Sequence, residues 1–168
     1  MTSYNLVWIY GLERFAKDAS EAGADGAILT DLPPEEAGPW IAAAEANGIS
    51  TVFLVAPTST PDRITRIAGS STGFVYCVSR TGVTGARKEI PTDLPQLIDQ
   101  IRSATDTPVC VGFGVSSPEH VAQVCAMADG AVVGSALVEF LHQNADNPGR
   151  DAAVRDLVSS WKAGTRRS

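Results

Sequence analysis

Two short glycine-containing segments have the residue types and spacing that suit binding of a phosphate group. They are residues 111–117 (VGFGVSS) and 133–136 (VGSA), and each continues a short apolar run that is typical of a strand. Glycines at a strand end let backbone N–H groups point into a pocket, and the first turn of a following helix attracts anions. Either segment alone could simply be a tight turn. Because the pattern occurs at the ends of the last two predicted strands, we interpret the pair as a phosphate site.

Few other side chains are candidates for chemistry. Asp31 ends a predicted strand, where a carboxylate could act as a general base, but Asp before Leu-Pro-Pro is also a good turn and helix-start residue. Tyr76 could face a binding pocket or the core, and both alternatives stay open. His120 and His142 fall on predicted helices without a Cys, His or carboxylate at metal-ligand spacing, so we predict no metal site.

The elements that must position these residues alternate between helix and strand. Runs that are apolar at every position indicate strands buried on both faces of a parallel sheet. The predicted strands are 26–30, 51–55, 74–78, 109–111 and 130–133, with residues 2–8 as the tail of a sixth. Apolar residues three and four apart predict helices around 12–19, 37–44, 64–68, 94–101 and 121–125, and an amphipathic closing helix follows from residue 150.

The order of these elements favours a barrel over an open doubly wound sheet. A dinucleotide-binding fold requires G-x-G-x-x-G after the first strand, whereas here turns rich in glycine and proline follow strand after strand. Active sites of (β/α)8 barrels lie at such strand ends. A complete barrel needs about 250 residues. We therefore predict that residues 1–168 form a single domain that is part of a TIM barrel, from the end of strand 3 to strand 8.

Composition excludes several classes of partner. The net charge of −6 argues against nucleic acid, and no apolar run is long enough to span a membrane. Three widely spaced cysteines, Cys77, Cys110 and Cys125, are expected to be structural rather than redox-active or metal-binding. We expect a cytoplasmic protein. The long segment 79–91 (SRTGVTGARKEIP), directly after an apolar run, indicates a functional loop because loops of this length are uncommon in compact domains.

Five segments of the chain together resemble the tryptophan synthase alpha chain family. The order and spacing of the segments agree with that family from residue 1 to about residue 142, and the combination of S-R-x-G-V-T-G with G-F-G-V-S is the most specific part. The segments are 30–36 (TDLPPEE), 53–59 (FLVAPTS), 73–85 (GFVYCVSRTGVTG), 111–118 (VGFGVSSP) and 133–136 (VGSA).

The resemblance implies a lyase that cleaves indole-3-glycerol phosphate by a retro-aldol step into indole and glyceraldehyde 3-phosphate. It implies no cofactor of its own and a PLP-dependent beta chain as partner in an α2β2 assembly. Thr84 would act in a mobile loop, fixing a catalytic acid. Carried over by position, the phosphate would be held by Gly85, Gly112, Gly114, Gly134 and Ser135, and the indole would lie against Phe113, Tyr76, Leu54 and Ile28.

The departures from the family concern catalysis. The family's acid–base glutamate and aspartate lie on the second strand and the loop after it, and these 168 residues resemble the family only from near the end of the third strand. Ser3 stands where the family usually has an aromatic residue, and Leu6 and Thr30 also differ. We expect a fragment that is inactive alone. The alternatives are a non-catalytic phosphate-binding half barrel that pairs with a beta chain or with itself, and another phosphate-binding barrel enzyme.

Overall fold

The computed structural model describes residues 1–79, 91–112 and 114–165, which form helices and short parallel strands in two compact units. The first unit comprises Met1–Val55, Ser59–Tyr76 and Gln100–Pro108, and the second comprises Ala56–Thr58, Cys77–Asp99 and Val109–Ser168. The prediction of a single domain over residues 1–168 stays a prediction.

Helices and strands alternate along most of the chain, as the apolar patterns predict. The helices are α1 Tyr4–Tyr10, α2 Leu12–Glu21, α3 Gly38–Ala46, α4 Pro61–Ser70, α5 Leu94–Arg102, α6 Pro118–Met127, α7 Ser135–Gln143 and α8 Arg150–Gly164. The strands are β1 Gly26–Ile28, β2 Ser50–Val52, β3 Leu54–Val55, β4 Val75–Val78, β5 Val109–Gly112 and β6 Gly130–Ala131. A short 3₁₀ helix covers Pro34–Glu36.

In the first unit, β1 and β2 pair in parallel with Gly26 opposite Ser50. A Cβ atom at Gly26 would lie 2.9 Å from the Ser50 carbonyl oxygen, so this pairing requires glycine. Helices α2 and α3 pack against each other, and the ring of Phe15 lies 5.9 Å from the buried ring of Trp40. Burial of a large apolar side chain contributes about 2 kcal/mol to the free energy of unfolding. This packing therefore helps to hold β1 and β2 in place.

The prediction of a strand over residues 2–8 is wrong beyond its first residue. Thr2 bridges to the β1 side, because its N–H donates to the Ile28 carbonyl at 3.0 Å and its own carbonyl accepts from Thr30 N at 3.2 Å. The chain then turns into helix α1. Its first N–H, that of Tyr4, is taken by the Asp31 carboxylate rather than by a neighbouring strand. A side-chain acceptor from the next βα unit therefore ends the strand.

The predicted strand 51–55 is interrupted at Phe53. Residues Ser50–Val52 pair with β1. From Phe53 onwards the chain pairs with β4 instead, because the Phe53 carbonyl accepts from Tyr76 N of β4 at 3.0 Å. The N–H of Phe53 donates to the buried Ser71 hydroxyl. The change of pairing partner divides one apolar run into two strands.

In the second unit, β5 lies between the last residues of β4 and strand β6. Strands β5 and β6 run parallel with Val111 opposite Ala131, and Ser79 N donates to the Gly112 carbonyl at 3.0 Å. Helix α8 packs against α6 and α7. None of the helices in the described part of the chain combines the length and apolar character needed to cross a membrane.

Candidate phosphate site

The carboxyl ends of β5 and β6 place the two predicted phosphate-binding segments at the same edge of the second unit. The strands are adjacent and parallel, and Val132 N donates to the Val111 carbonyl at 2.8 Å where they end. Gly114 follows the end of β5, and Gly134 follows the end of β6. Because neighbouring parallel strands end at one edge, Gly112, Gly114, Gly134 and Ser135 all lie at or shortly after strand ends on that edge, where ligand sites of α/β proteins occur.

Gly114 makes the turn that leads from β5 towards α6. Its φ of +94° lies in the left-handed region, where a residue with a side chain costs about 1–2 kcal/mol. The glycine therefore lets the chain turn two residues beyond the strand end, and Val115, Ser116 and Ser117 follow. This turn shapes the site through its backbone.

The start of α6 is capped by its own side chains. The Ser117 hydroxyl accepts from His120 N at 3.2 Å, and Pro118 occupies the first helical position. Glu119 lies in the first turn, and hydrogen bonding to the Ser117 side chain, followed by its own backbone N–H, lowers the pKa of that carboxyl. The N–H groups of this helix start therefore already have acceptors within the chain.

The start of α7 is bare by comparison. Its N-cap residue is Gly134, and no side chain in the described part of the chain caps the helix. Leu137 N and Val138 N both donate to the Gly134 carbonyl, at 3.0 and 3.2 Å, so helix geometry leaves the N–H groups of Ser135 and Ala136 to an outside acceptor. Gly134 and Ser135 are exposed. This arrangement can bind an anion with backbone N–H groups, a serine hydroxyl and the helix dipole.

A separate cavity of about 300 Å³ lies in the first unit at the ends of β1 and β3. Its lining includes the predicted indole-pocket residue Leu54 and the base candidate Asp31, together with Arg63 from α4. The Arg63 guanidinium lies 3.3 Å from the Glu35 carboxylate, so its charge is partly balanced. The cavity has both apolar walls and two opposite charges.

Asp31 is occupied in holding the start of α1. One carboxylate oxygen accepts from the Ser3 hydroxyl and the other from Tyr4 N, both at 2.6 Å. These bonds, the Ser3 hydroxyl first, lower the pKa of Asp31. A carboxylate that is stabilised in its charged form is a weaker base, so the contacts favour a structural role; the catalytic role stays a prediction.

The other predicted site residues differ in how the structure places them. Tyr76 is buried in β4, and Ile28 is half-buried at the end of β1, opposite Val52. Ile28 does not belong to the lining of the cavity that contains Leu54. Thr84, Gly85 and Phe113 lie outside the described residues. Their predicted roles in substrate binding, and that of the segment around Thr84, stay predictions.

Two residues of these sites were missed by sequence reasoning about ligands. Arg63 lines the cavity with Asp31, and Ser3 donates to Asp31. The only signal for Arg63 was its place in the first turn after Thr60-Pro61, which predicts a helix start but not the direction of a side chain. Ser3 was noted only because the family usually has an aromatic residue there, and its hydrogen bond to Asp31 had no signal because the two residues are 28 positions apart.

The cysteines and acidic residues give no sign of other chemistry. Across residues 1–79, 91–112 and 114–165, no three His, Cys, Asp or Glu side chains group so as to hold a metal ion. Burial raises the pKa of the Cys77 thiol to about 12, and burial, Asp129 and Cys125 raise that of Cys110. Raised thiol pKa values disfavour the reactive thiolate.

The alternation of parallel strands and helices, with glycine-containing turns at the strand ends, is that of an α/β protein. A statistical model of the family described as tryptophan synthase alpha chain matches residues 1–165. The chain belongs to the tryptophan synthase alpha chain family.

Individual relatives agree with this assignment and extend beyond the chain. The tryptophan synthase alpha chain of Opitutus terrae is 46% identical over 167 residues, covering 99% of this chain and 63% of the relative. That of Geobacter sulfurreducens is 50% identical, covering 92% and 59%. This chain therefore spans about three fifths of the length of these relatives.

Solved structures place the fold in the same family. The chain superposes on tryptophan synthase from Mycobacterium tuberculosis with a TM-score of 0.89 and 42% identity, covering 100% of this chain and 62% of that one. For the a2b2 tryptophan synthase complex of Pyrococcus furiosus the TM-score is 0.85 with 37% identity, and the coverage is 97% and 65%. The fold is thus part of a (β/α)8 barrel, as the sequence predicted.

Proposed function

We propose that this chain acts in tryptophan biosynthesis by binding indole-3-glycerol phosphate, the substrate that an alpha chain cleaves into indole and glyceraldehyde 3-phosphate. The observation that carries the proposal is the bare start of α7, where Gly134 and Ser135 are exposed beside the Gly114 turn. Backbone N–H groups at a helix start suit the phosphate of such a substrate. Membership of the family supports the identity of the rest of the ligand.

The chain's own residues supply binding and orientation in this proposal. The first turn of α7 holds the phosphate end, whereas the assignment of Leu54, Tyr76 and Ile28 to the indole rests on membership of the family alone. Retro-aldol cleavage also requires a proton to reach the indole ring and another to leave the glycerol hydroxyl. We assign neither step to Asp31, because its two carboxylate oxygens accept from Ser3 and Tyr4.

We propose further that these 168 residues alone do not turn over the substrate, and that the active species requires the family's glutamate and aspartate. It needs no cofactor of its own. Its partner is a PLP-dependent beta chain, as in the a2b2 complex of the Pyrococcus furiosus relative, and we expect it to act in the cytoplasm.

The test combines a binding and an activity measurement on the same chain. Isothermal titration with glycerol 3-phosphate should show saturable binding, and an assay of indole release from indole-3-glycerol phosphate should show none. Release of indole by the chain alone would contradict the proposal that the family's glutamate and aspartate are required. Asp31 would then be the candidate for the catalytic base, and Asp31→Asn would be the next variant to test. No binding of glycerol 3-phosphate would contradict the phosphate site itself.

A second candidate is a non-catalytic phosphate-binding module that assembles with a beta chain or with itself. The occupied carboxylate of Asp31 favours it, since this acid is committed to holding α1. Co-expression with the segment of a relative that carries the family's glutamate and aspartate, in a strain that lacks its own alpha chain, separates the two candidates. Growth without tryptophan would support the lyase, whereas phosphate binding without growth would support the module.

A further inference from the structure

The closing helix α8 contacts the first turn of α6 through a glycine. A Cβ atom at Gly164 would lie 2.7 Å from the Pro118 carbonyl oxygen and 3.3 Å from Ala122 N. In an α-helix the carbonyl of residue i accepts from the N–H of residue i+4, so these two groups belong to one hydrogen bond of the first turn of α6. The backbone of α8 therefore lies directly against the opening turn of α6, at a distance that only glycine permits.

A second notable residue lies on the same face of α8. Trp161 lies three residues before Gly164, hence on the same side of the helix, and it is buried. Its indole N–H has no hydrogen-bond partner in the described part of the chain. A buried ring therefore lies one turn from Gly164, the residue whose neighbours on α6 set how closely the two helices approach.

The contacted turn is also the one that follows the Gly114 segment of the candidate phosphate site. Ser117, which caps α6, immediately precedes Pro118, and Gly114 lies four residues before Pro118. A displacement of this turn moves the backbone between Gly114 and Ser117 along with it. Ligand affinity is sensitive to such shifts because hydrogen bonds to a charged group depend on distance and angle.

We propose that Gly164 is a positioning residue for phosphate binding: it lets α8 seat closely on the opening turn of α6 and so holds the Gly114 side of the phosphate site in its binding geometry. The inference rests on the proposed function. It assigns to the closing helix, which does not itself carry a predicted ligand-binding residue, an effect on ligand affinity.

The test compares two glycines of the same helix. Gly164→Ala and Gly164→Val insert a side chain at the contact, whereas Gly149→Ala makes the same chemical change at the exposed start of α8, 3.4 Å from the Asn147 side chain. Titration with inorganic phosphate and with glycerol 3-phosphate should show a dissociation constant about tenfold higher for Gly164→Val, the loss expected from weakened charge-assisted hydrogen bonds. Gly164→Ala should have a smaller effect in the same direction, and Gly149→Ala should bind as the unsubstituted chain does.

A spectroscopic readout tests the coupling in the unsubstituted protein. Phosphate should shift the indole N–H resonance of Trp161, identified by its loss in Trp161→Phe, more than those of Trp8 and Trp40. If Gly164→Val lowers the unfolding temperature but binds phosphate normally, Gly164 is only structural and the proposal is overturned. If Gly164→Val does not fold, unfolding temperature and phosphate affinity are compared for Gly164→Ala instead. Failure of the unsubstituted chain to bind phosphate would instead overturn the proposed function together with this inference.

Discussion

Helices α6 and α7 both begin just after a strand of the same parallel pair, but their first N–H groups differ in whether a side chain accepts from them. Each follows one of two paired parallel strands and a glycine-containing turn. At α6 the Ser117 hydroxyl accepts from His120 N, and Glu119 adds a negative charge in the first turn. At α7 the N-cap residue is Gly134, and the first turn, Ser135 to Leu137, contains no acidic residue.

This difference shows that a glycine turn after a strand is not sufficient to identify an anion site. A helix start attracts an anion through N–H groups that lack an intrahelical acceptor, and a capping side chain removes part of that capacity. We therefore infer that α7 binds the phosphate directly, whereas the α6 side contributes the shape of the Gly114 turn. The start of α6 is capped by a side chain, and the start of α7 is left open to an outside acceptor.

The largest expected effect comes from capping α7. Gly134→Asp places a carboxylate at the N-cap, and the φ of −117° and open space at this position accommodate a side chain. The carboxylate should take the first-turn N–H groups and repel phosphate, raising the dissociation constant for glycerol 3-phosphate about a hundredfold, while the cap stabilises the fold by a few tenths of a kcal/mol. Isothermal titration and thermal unfolding measure the two opposite changes.

Gly149→Asp is the matched control for this variant, because Gly149 is the N-cap of α8. It should stabilise the chain similarly and leave phosphate binding as it was. Normal phosphate affinity in Gly134→Asp would show that the start of α7 is not the binding element, and the contrast between the two helices would lose its functional meaning.

A smaller effect is expected from removing the cap of α6. Ser117→Ala deletes the acceptor for His120 N, which should cost about 1 kcal/mol of unfolding free energy. For a chain of this size that loss lowers the unfolding temperature by about 2–4 °C. Ser135→Ala, at the first position of α7, should change the unfolding temperature little in the absence of ligand. Equal destabilisation by both serine substitutions would mean that the two helix starts do not differ as described.

The sequence predicted the elements that depend on local pattern and missed those decided by distant partners. Runs that are apolar at each position mark β4 and β5, whose residues Val75, Cys77, Val109 and Val111 are fully buried. Residues 4–8 are mostly apolar as well, yet they form part of α1, because the Asp31 carboxylate takes the Tyr4 N–H from 27 residues away. Phe53 lies inside an apolar run, and only a change of pairing partner reveals the break there.

The candidate site was predictable to the same extent. The order of glycines along the chain located Gly112, Gly114, Gly134 and Ser135, because parallel strands place their carboxyl ends together. Burial of Tyr76 and the hydrogen bonds of Asp31 were not readable, since each depends on side chains from other βα units. Residue type indicates what a group can do, whereas its partners decide whether it is available to do it.

The smallest expected effect is the pH dependence of the α6 start. Hydrogen bonding to Ser117 lowers the pKa of Glu119 in the folded chain, whereas in the unfolded chain it returns to about 4.3. The ionised carboxylate therefore adds stability that is complete above the unfolded pKa and is lost as the pH falls through the folded pKa. Urea unfolding of Glu119→Gln should show a shallower loss of stability than the unsubstituted chain as the pH falls below about 5. Glu45→Gln, an exposed change at the end of α3, is the matched control for the loss of one surface carboxylate. Parallel profiles for Glu119→Gln and the unsubstituted chain would mean that the acid does not help to cap α6, and that Ser117 alone distinguishes its start from that of α7.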